Sequence, residues 1–270
     1  MRPTVRSLGL LMTTVLVAAA CAPTYEVAES QSATPAAAGH AHHDKAWDAS
    51  RAPSDDWEPR DPRLDPAPEG DLHEITMRAS EIEKEVAPGV VQGVWTFDDL
   101  FPGPTLRGKV GDTFRITLIN DGNLGHSIDF HSSKVAPNVE MRTIERGDEL
   151  IYEFEAKHAG VFMYHCGTSP VLQHTGMGQH GTMIIDPPDL PEVDHEFWLV
   201  QHEIYMGNLA EAHDKMQAEV WDAVAFNGYP NQYVHAPIEG VEPDERVRMW
   251  VMNNGPSEAS SFHVIGTIFD

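Results

Sequence analysis

The sequence predicts an all-β protein built as a β-sandwich or barrel, and three observations support that prediction. Apolar and polar residues alternate over residues 113–118 and 150–154, which is the period-2 pattern of half-buried strands. Two further short apolar runs, at residues 161–164 and 183–185, are bounded by glycine and proline. Turn signals such as PGP, GD, DG and RGD recur between these runs, and short strands at this spacing are typical of a sandwich or barrel.

The N-terminal residues predict export from the cytoplasm. A short basic stretch, an apolar run over residues 8–20 and three alanines before Cys21 have the layout of a signal peptide, and the run is too short to span a bilayer. Because small residues before a cysteine also resemble a bacterial lipoprotein signal, we predict a signal peptide over residues 1–21 and a lipid anchor on Cys21. Ordinary cleavage nearby and an uncleaved anchor with a free cysteine are the alternatives. Either form of cleavage places the chain in the periplasm or on the outer face of the cell membrane.

The segment that follows, residues 22–70, is rich in alanine, proline, serine and aspartate and lacks apolar periodicity. Such a composition predicts a disordered tether that holds the folded part away from the membrane. Within it, the GHAHHD segment at residues 39–44 could capture copper or zinc weakly. Histidine-bearing sequence of low complexity often has no specific role, so both interpretations stay open.

Prolines at residues 187, 188 and 191 predict a linker between a complete domain over residues 71–188 and a second domain over residues 191–270. The second domain is expected to begin with a strand at residues 197–200 and a helix over residues 209–224. Further strands are expected near residues 223–226, 247–251 and 262–269. Since a sandwich normally needs about 100 residues, we expect the second domain to be partial and the chain to be a fragment.

The composition limits the classes of function. Eighteen lysines and arginines against 42 aspartates and glutamates give a net charge of −24. A chain this acidic repels phosphate backbones, which argues against a nucleic-acid partner. The two cysteines lie far apart and exclude a disulfide scaffold, whereas 15 histidines leave room for a metal site dominated by imidazole.

Metal-ligating residue types gather between residues 126 and 174. His126, Cys166 and His174 supply one thiol and two imidazoles, which together with a weak axial ligand form the ligand set of a blue-copper centre. His131 and His165 remain as a second pair. Because adjacent side chains on a strand point to opposite faces, Cys166 and His165 could each hold a different copper ion, with only a few covalent bonds between them.

Four segments resemble copper-containing nitrite reductase and its two-domain multicopper-oxidase relatives. The sequences FPGPTLR and VGDT, at residues 101–107 and 110–113, resemble the opening of a multicopper-oxidase cupredoxin domain. The HSIDFH block at residues 126–131 and the YHC strand at residues 164–166 resemble nitrite reductase more specifically. The resemblance runs from about residue 73 to the end. It implies a Greek-key cupredoxin β-sandwich, with one complete domain followed by a truncated one.

Carried over residue by residue, the resemblance implies which side chains hold copper. Type 1 copper is implied at His126, Cys166 and His174, and type 2 copper at His131 and His165. The family's third type 2 histidine comes from a neighbouring subunit. This implies a homotrimer, and the residue itself would lie beyond the end of the sequence.

Asp129 matches the family's active-site aspartate, which hydrogen-bonds the bound oxyanion and relays protons. The sequence departs from the family at two other positions. Gln179 occupies the place of the axial methionine, five residues beyond His174, and we favour it over Met177 as the axial ligand; it should lower the reduction potential. Ile268 stands near the place of the second catalytic histidine, so the usual second proton donor is expected to be missing.

The remaining histidines show no spacing that converges on a metal site. His180, beside the axial position, is interpreted as an exposed loop residue and not a ligand. Four others are interpreted as structural or surface residues: His202, His213, His235 and His263.

Three functions follow from these residues. The first is reduction of nitrite to nitric oxide. A small redox protein would supply the electrons, which would pass from type 1 to type 2 copper. The second is a non-enzymatic copper protein that transfers electrons or handles copper through the type 1 site alone. The third, a laccase-like reduction of dioxygen, needs paired His-x-His motifs, and the sequence has one such motif, inside the tether. The net charge further predicts that a protein donor docks through a local patch around the type 1 site.

Overall fold

The computed structural model describes residues 47–136 and 140–268 of the chain. The predicted signal peptide, the lipid-anchor residue Cys21 and the histidine segment at residues 39–44 lie outside the described residues. In chain order the strands are β1 (Leu72–Ala87), β2 (Val90–Phe97), β3 (Thr105–Lys109), β4 (Thr113–Asn120), β5 (Asp129–Phe130), β6 (Glu149–Glu155), β7 (Gly160–His165), β8 (His180–Asp186), β9 (His195–Ile204), β10 (Ala223–Phe226) and β11 (Val247–Asn253). The helices are α1 (Val171–Gly176), α2 (Leu209–Gln217) and α3 (Gln232–His235).

The first eight strands form two four-stranded sheets that face each other. One sheet has the order β2-β1-β4-β6 and the other the order β3-β8-β7-β5. Buried apolar side chains from both sheets, among them Ile116, Tyr152, Phe130 and Met183, meet in one core. Along β6, buried and exposed residues alternate strictly, because one face lies on this core and the other faces solvent. The predicted β-sandwich is therefore confirmed.

Strand β1 is long enough to pair with two neighbours in turn. Residues 72–79 pair in parallel with β4, and residues from 79 onward pair antiparallel with β2. The change of partner occurs at Ala79, which lies opposite Asn120 at the end of β4. The part of β1 just beyond, including Glu81, therefore lies beside the loop that leaves β4 and leads to His126.

A separate three-stranded sheet, in the order β10-β9-β11, is built from the later residues. The helix expected over residues 209–224 begins at Leu209, as predicted, but ends at Gln217. Local backbone features account for the early end of the helix. Glu219 has a positive φ, and Asp222 donates its backbone N–H to the carbonyl of Ile204 on β9, so the chain has left the helix before Ala223. The strand predicted at residues 262–269 is wrong for the described residues, which form loop and turn up to residue 268.

The tether prediction needs a correction for residues 47–70, which lie against the folded part. Trp47 donates its indole N–H to the backbone carbonyl of Asp222, at 3.2 Å. The Arg60 guanidinium donates to the carbonyls of Pro102 and Gly103, and Arg63 forms an isolated β-bridge with Phe197. Composition predicts disorder from the average polarity of a segment, whereas a few aromatic and arginine side chains are enough to anchor this one.

Among the described residues, no helix combines the length and the apolar character that crossing a membrane requires.

Candidate metal centres

Two groups of metal-ligating side chains come together where β5 and β7 end. Within each group, the potential ligand atoms lie within 4.8 Å of one another. We call the first the buried cluster, which consists of His126, Cys166 and His174, and the second the open cluster, which consists of Asp129, His131 and His165.

The buried cluster draws each of its members from a different segment. His126 lies in the loop after β4 and exchanges two backbone hydrogen bonds with Ile144. Cys166 directly follows β7. His174 lies on the short helix α1, where its side chain is buried. All three side chains are buried, with at most 4% of the residue exposed, and the Trp95 ring packs edge-on against the His174 imidazole at 4.6 Å.

The Cys166 sulfur lies among hydrogen-bond donors and a neighbouring imidazole. Its Sγ accepts the backbone N–H of Ser127 at 3.3 Å. Burial acts to raise the pKa of the thiol, but interactions with His126, Thr168 and Ser127 outweigh it and hold the pKa below its ordinary value. The thiolate, which is the form that binds metals, is therefore favoured at this position.

The His126 imidazole is held by a carboxylate that sequence reasoning missed. Its Nε2 lies 2.9 Å from Oε1 of Glu81, whereas its Nδ1 is buried and makes no hydrogen bond. Burial acts to lower the pKa of His126, but the neighbouring Cys166 and Glu81 raise it overall. Burial acts to raise the pKa of Glu81, and hydrogen bonds from Asn123, His126 and Leu124 lower it. No sequence signal marks Glu81, because its partner lies 45 positions away.

The His174 imidazole contacts two backbone carbonyls. Its Nδ1 lies 3.1 Å from the Pro170 oxygen and its Nε2 lies 3.3 Å from the Gly125 oxygen. Burial lowers the pKa of His174, with a smaller contribution from His126, so the neutral ring carries one N–H. Only one of the two carbonyls can accept that proton, which leaves the other ring nitrogen with a lone pair for a metal.

The open cluster brings two imidazoles together edge-on, with an angle of 87° between the ring planes. The Nε2 atoms of His131 and His165 lie 3.1 Å apart. Nδ1 of His165 lies 2.9 Å from the Cys166 carbonyl, which only accepts, so this nitrogen carries the proton and Nε2 carries the lone pair. Burial, and then the neighbouring His165, lower the pKa of His131. His131 is exposed and the other two members are half-buried, so a small molecule can reach this cluster.

Asp129 is the carboxylate of the open cluster, and Tyr152 holds it. The Tyr152 hydroxyl donates to Oδ1 of Asp129 at 3.1 Å and accepts a hydrogen bond from the Ser133 hydroxyl at 2.8 Å. Burial is the main cause that raises the pKa of Tyr152 to about 12, so it remains a neutral phenol at physiological pH. The sequence marks Tyr152 only as part of the alternating run at residues 150–154, because its hydroxyl meets Asp129 through the fold and not through local spacing.

The two candidate axial residues have different surroundings. Gln179 is fully buried, and its backbone carbonyl accepts the N–H of Cys166 at 3.0 Å. Its side-chain Nε2 donates to the Thr96 carbonyl at 3.4 Å, while its Oε1 is buried without a hydrogen-bond partner. Met177 packs instead in an apolar group with Trp95, Tyr205 and Met216.

Two other expectations concern residues outside the clusters. The prediction that His180 is an exposed loop residue is wrong. It is the buried first residue of β8. It lies opposite His165 in the sheet, and its ring packs against that of His202 on β9, 5.1 Å away between centroids, which explains its burial. Ile268 lies 99% exposed in a loop.

The chain is similar in sequence to known copper proteins. The profile of the multicopper oxidase family matches residues 79–190. The copper-containing nitrite reductase of Neisseria gonorrhoeae is 33% identical over 223 residues, which cover 77% of this chain and 57% of that protein. That of Cereibacter sphaeroides is 32% identical over 130 residues, or 46% of this chain and 34% of that protein. The chain thus spans a little more than half the length of the first of these relatives.

Solved structures give the same result. The copper nitrite reductase from Nitrosomonas europaea is 36% identical with a TM-score of 0.64, and the match covers 69% of each chain. The copper-containing nitrite reductase from Thermus scotoductus is 29% identical with a TM-score of 0.63, covering 68% of this chain and 44% of that one. The predicted all-β cupredoxin fold is confirmed.

Proposed function

This chain belongs to the family of cupredoxin-fold multicopper oxidases that includes the copper-containing nitrite reductases, and on that premise we propose that it is a copper-dependent oxidoreductase that reduces nitrite to nitric oxide. The observation that carries the proposal is that Cys166 of the buried cluster and His165 of the open cluster are consecutive residues. A sealed site is thereby joined by a few covalent bonds to a site that a small anion can enter.

The buried cluster fits type 1 copper by the chemistry of its donors. It combines one thiol whose pKa is lowered with two imidazoles, the set of soft and borderline ligands that copper prefers. The unpartnered Nδ1 of His126 is a buried polar atom that a metal ion would satisfy. We propose that His126, Cys166 and His174 hold type 1 copper.

The axial position is proposed for Gln179. Its buried Oε1 has no hydrogen-bond partner, and its backbone carbonyl accepts the N–H of Cys166, which places the two residues side by side. Met177 has apolar packing that accounts for its burial without any metal. An amide oxygen is an accepted weak axial ligand in blue-copper sites.

The open cluster fits type 2 copper through His131 and His165. Both present Nε2 to the same point, and the bond from His165 Nδ1 to a backbone carbonyl orients that ring, as outer partners of metal-bound histidines commonly do. Two imidazoles leave the coordination incomplete, and we propose that a further histidine comes from a neighbouring subunit of a homotrimer.

Copper at the two clusters would supply one-electron transfer at the buried cluster and an electron and a Lewis acid for nitrite at the open one. The residues of the chain do the rest. Asp129, half-buried and held by Tyr152 through one oxygen, can accept a hydrogen bond from protonated substrate or hold the proton that nitrite needs to lose an oxygen as water. Nitrite, one electron and two protons yield nitric oxide and water, so proton delivery is part of the reaction.

One observation favours a second function, electron transfer or copper handling through the buried cluster alone. At the position near which relatives of this kind carry a second catalytic histidine, the chain has Ile268, whose side chain is exposed in a loop. A laccase-like reduction of dioxygen is less supported, because the sequence carries a single His-x-His motif, at residues 40–42.

The remaining parts of the proposal concern location and partners. We propose export by the signal peptide, lipid attachment at Cys21, and a small redox protein as the electron donor. With a net charge of −24, long-range attraction would serve only a basic donor, so docking would rely on a local patch near the buried cluster.

Copper counting and spectroscopy on the copper-loaded full-length chain test the proposal. We expect two copper ions per subunit, an intense visible thiolate-to-copper band, and nitrite consumption with an artificial donor. Cys166→Ala should abolish the band, whereas the matched variant Cys21→Ser should keep it.

Each departure from this result has a distinct meaning. A wild type without the band would refute the buried copper site. One copper per subunit without nitrite turnover would refute nitrite reduction and favour the electron-transfer function. Four copper ions with oxygen uptake would favour the laccase-like function.

A further inference from the structure

The Glu81 carboxylate contacts both the His126 side chain and the backbone of residues 123 and 124. Its Oε1 lies 2.9 Å from Nε2 of His126. The same carboxylate accepts the backbone N–H groups of Asn123 at 2.7 Å and of Leu124 at 3.1 Å. Glu81 thus binds the His126 imidazole and, at the same time, the loop that leads to it.

The loop is shaped to admit this carboxylate. Gly122 has no side chain, and a Cβ at this position would lie only 2.6 Å from Oε1 of Glu81. Any other residue would push the carboxylate away from the loop, because real Cβ atoms essentially never come this close to another heavy atom. The close approach of Glu81 therefore depends on glycine at residue 122.

The contact also determines which nitrogen of His126 carries a proton. A carboxylate only accepts hydrogen bonds, so Nε2 of His126 must be the donor. In the neutral ring the lone pair is then on Nδ1, which is buried and makes no hydrogen bond. This is the nitrogen that a metal in the buried cluster would need.

We propose that Glu81 is a positioning residue that holds His126 in the Nε2–H tautomer and in the orientation required for copper. The inference rests on the copper site proposed above. Outer-shell partners of metal-bound histidines fix the ring and raise its basicity, and their removal typically lowers metal affinity by roughly 10–100-fold.

Two substitutions test the proposal on the full-length chain. Glu81→Leu removes the acceptor, and Glu81→Gln keeps an acceptor of similar size. The control Arg146→Ala removes the guanidinium that donates to Oδ1 of Asn123, so it loosens the same loop without touching His126.

The first measurement is nitrogen-15 NMR of His126 in the metal-free protein, at a pH where the ring is neutral. We expect a single Nε2–H tautomer in the wild type, in Glu81→Gln and in Arg146→Ala, and a mixture of tautomers in Glu81→Leu. The second is copper affinity, measured against a competing chelator with the thiolate band as the signal. Affinity should fall by roughly 10–100-fold in Glu81→Leu and stay within about threefold of wild type in the other two.

The proposal is overturned if Glu81→Leu keeps the single tautomer and the wild-type affinity, even when its melting temperature falls. It is equally overturned if Arg146→Ala reproduces both effects, since a loosened loop would then explain them. A wild type that shows no thiolate band refutes the copper site itself. In that case the metal-free tautomer comparison still decides whether Glu81 orients His126.

Discussion

The buried and open clusters have the same imidazole chemistry but differ in what surrounds each ring. In the buried cluster, a carboxylate holds His126, and Trp95 packs against His174. In the open cluster, the Nε2 atoms of two perpendicular imidazoles lie 3.1 Å apart, and one of the two residues is exposed. The first arrangement would protect a bound metal from ligand exchange, and the second would leave a position for a small molecule.

The boundary between these environments runs through a single peptide bond. Cys166 lies in the core, whereas His165 is half-buried on the outer side of the sheet. Alternation of side chains along a strand is enough to produce this separation, without any additional domain or insertion. A strand that ends in His-Cys can therefore place two chemically distinct sites a few bonds apart.

Removing one ligand of the open cluster should separate the two sites most clearly. In His131→Ala we expect one copper ion per subunit instead of two, and a loss of nitrite turnover of roughly a hundredfold or more, because the metal supplies several kcal/mol to the reaction. The thiolate band should stay unchanged, since His131 belongs to the open cluster and not to the buried one. Metal analysis, absorption spectra and nitrite assays measure the three effects.

The control for this variant is His158→Gln, which changes an exposed histidine just before β7, at the opposite end of that strand from His165. It should behave as the wild type in all three measurements. A loss of the thiolate band in His131→Ala would show that the two clusters are not independent and would contradict the comparison.

A second prediction concerns His202, a buried histidine outside both clusters. His202 packs against His180, its Nδ1 bonds to a backbone carbonyl, and burial lowers the pKa of His202 to about 4. The folded state therefore resists protonation while the unfolded chain accepts a proton near the ordinary histidine value. Stability from this residue is present above about pH 6.5 and is lost as the pH falls towards 4, by roughly 3 kcal/mol.

Urea denaturation of the metal-free chain between pH 7 and pH 4 measures this loss. His202→Gln should reduce the pH dependence by about that amount, and the exposed-site variant His158→Gln should leave it unchanged. Equal pH dependence in wild type and His202→Gln would mean that His202 is protonated in the folded chain, like an exposed histidine.

Residues that act through local spacing were predictable from sequence, and residues that act across the fold were not. The strand patterns and the His126, Cys166 and His174 set could be identified because strand periodicity and ligand type are visible along the chain. Glu81 could not, because it meets His126 only where β1 passes the end of β4.

The burial of His180 has the same origin. It depends on the packing of β8 against a separate sheet that carries His202, and no local pattern records that contact. For the same reason the composition of residues 47–70 suggested disorder, while the partners that order them lie far along the chain, 42 positions away for Arg60 with Pro102 and 175 for Trp47 with Asp222.

The smallest expected effect distinguishes proton handling from metal binding within the open cluster. In Tyr152→Phe, Asp129 loses the hydrogen bond that the phenol donates, which is worth about 1 kcal/mol. We expect nitrite turnover to fall about fivefold, with both copper ions and the thiolate band retained. Ser133→Ala is the matched control, because it removes the other partner of the same hydroxyl while leaving the bond to Asp129. It should lower stability but not turnover, and an equal loss of turnover in both variants would assign the effect to core packing instead of to Asp129.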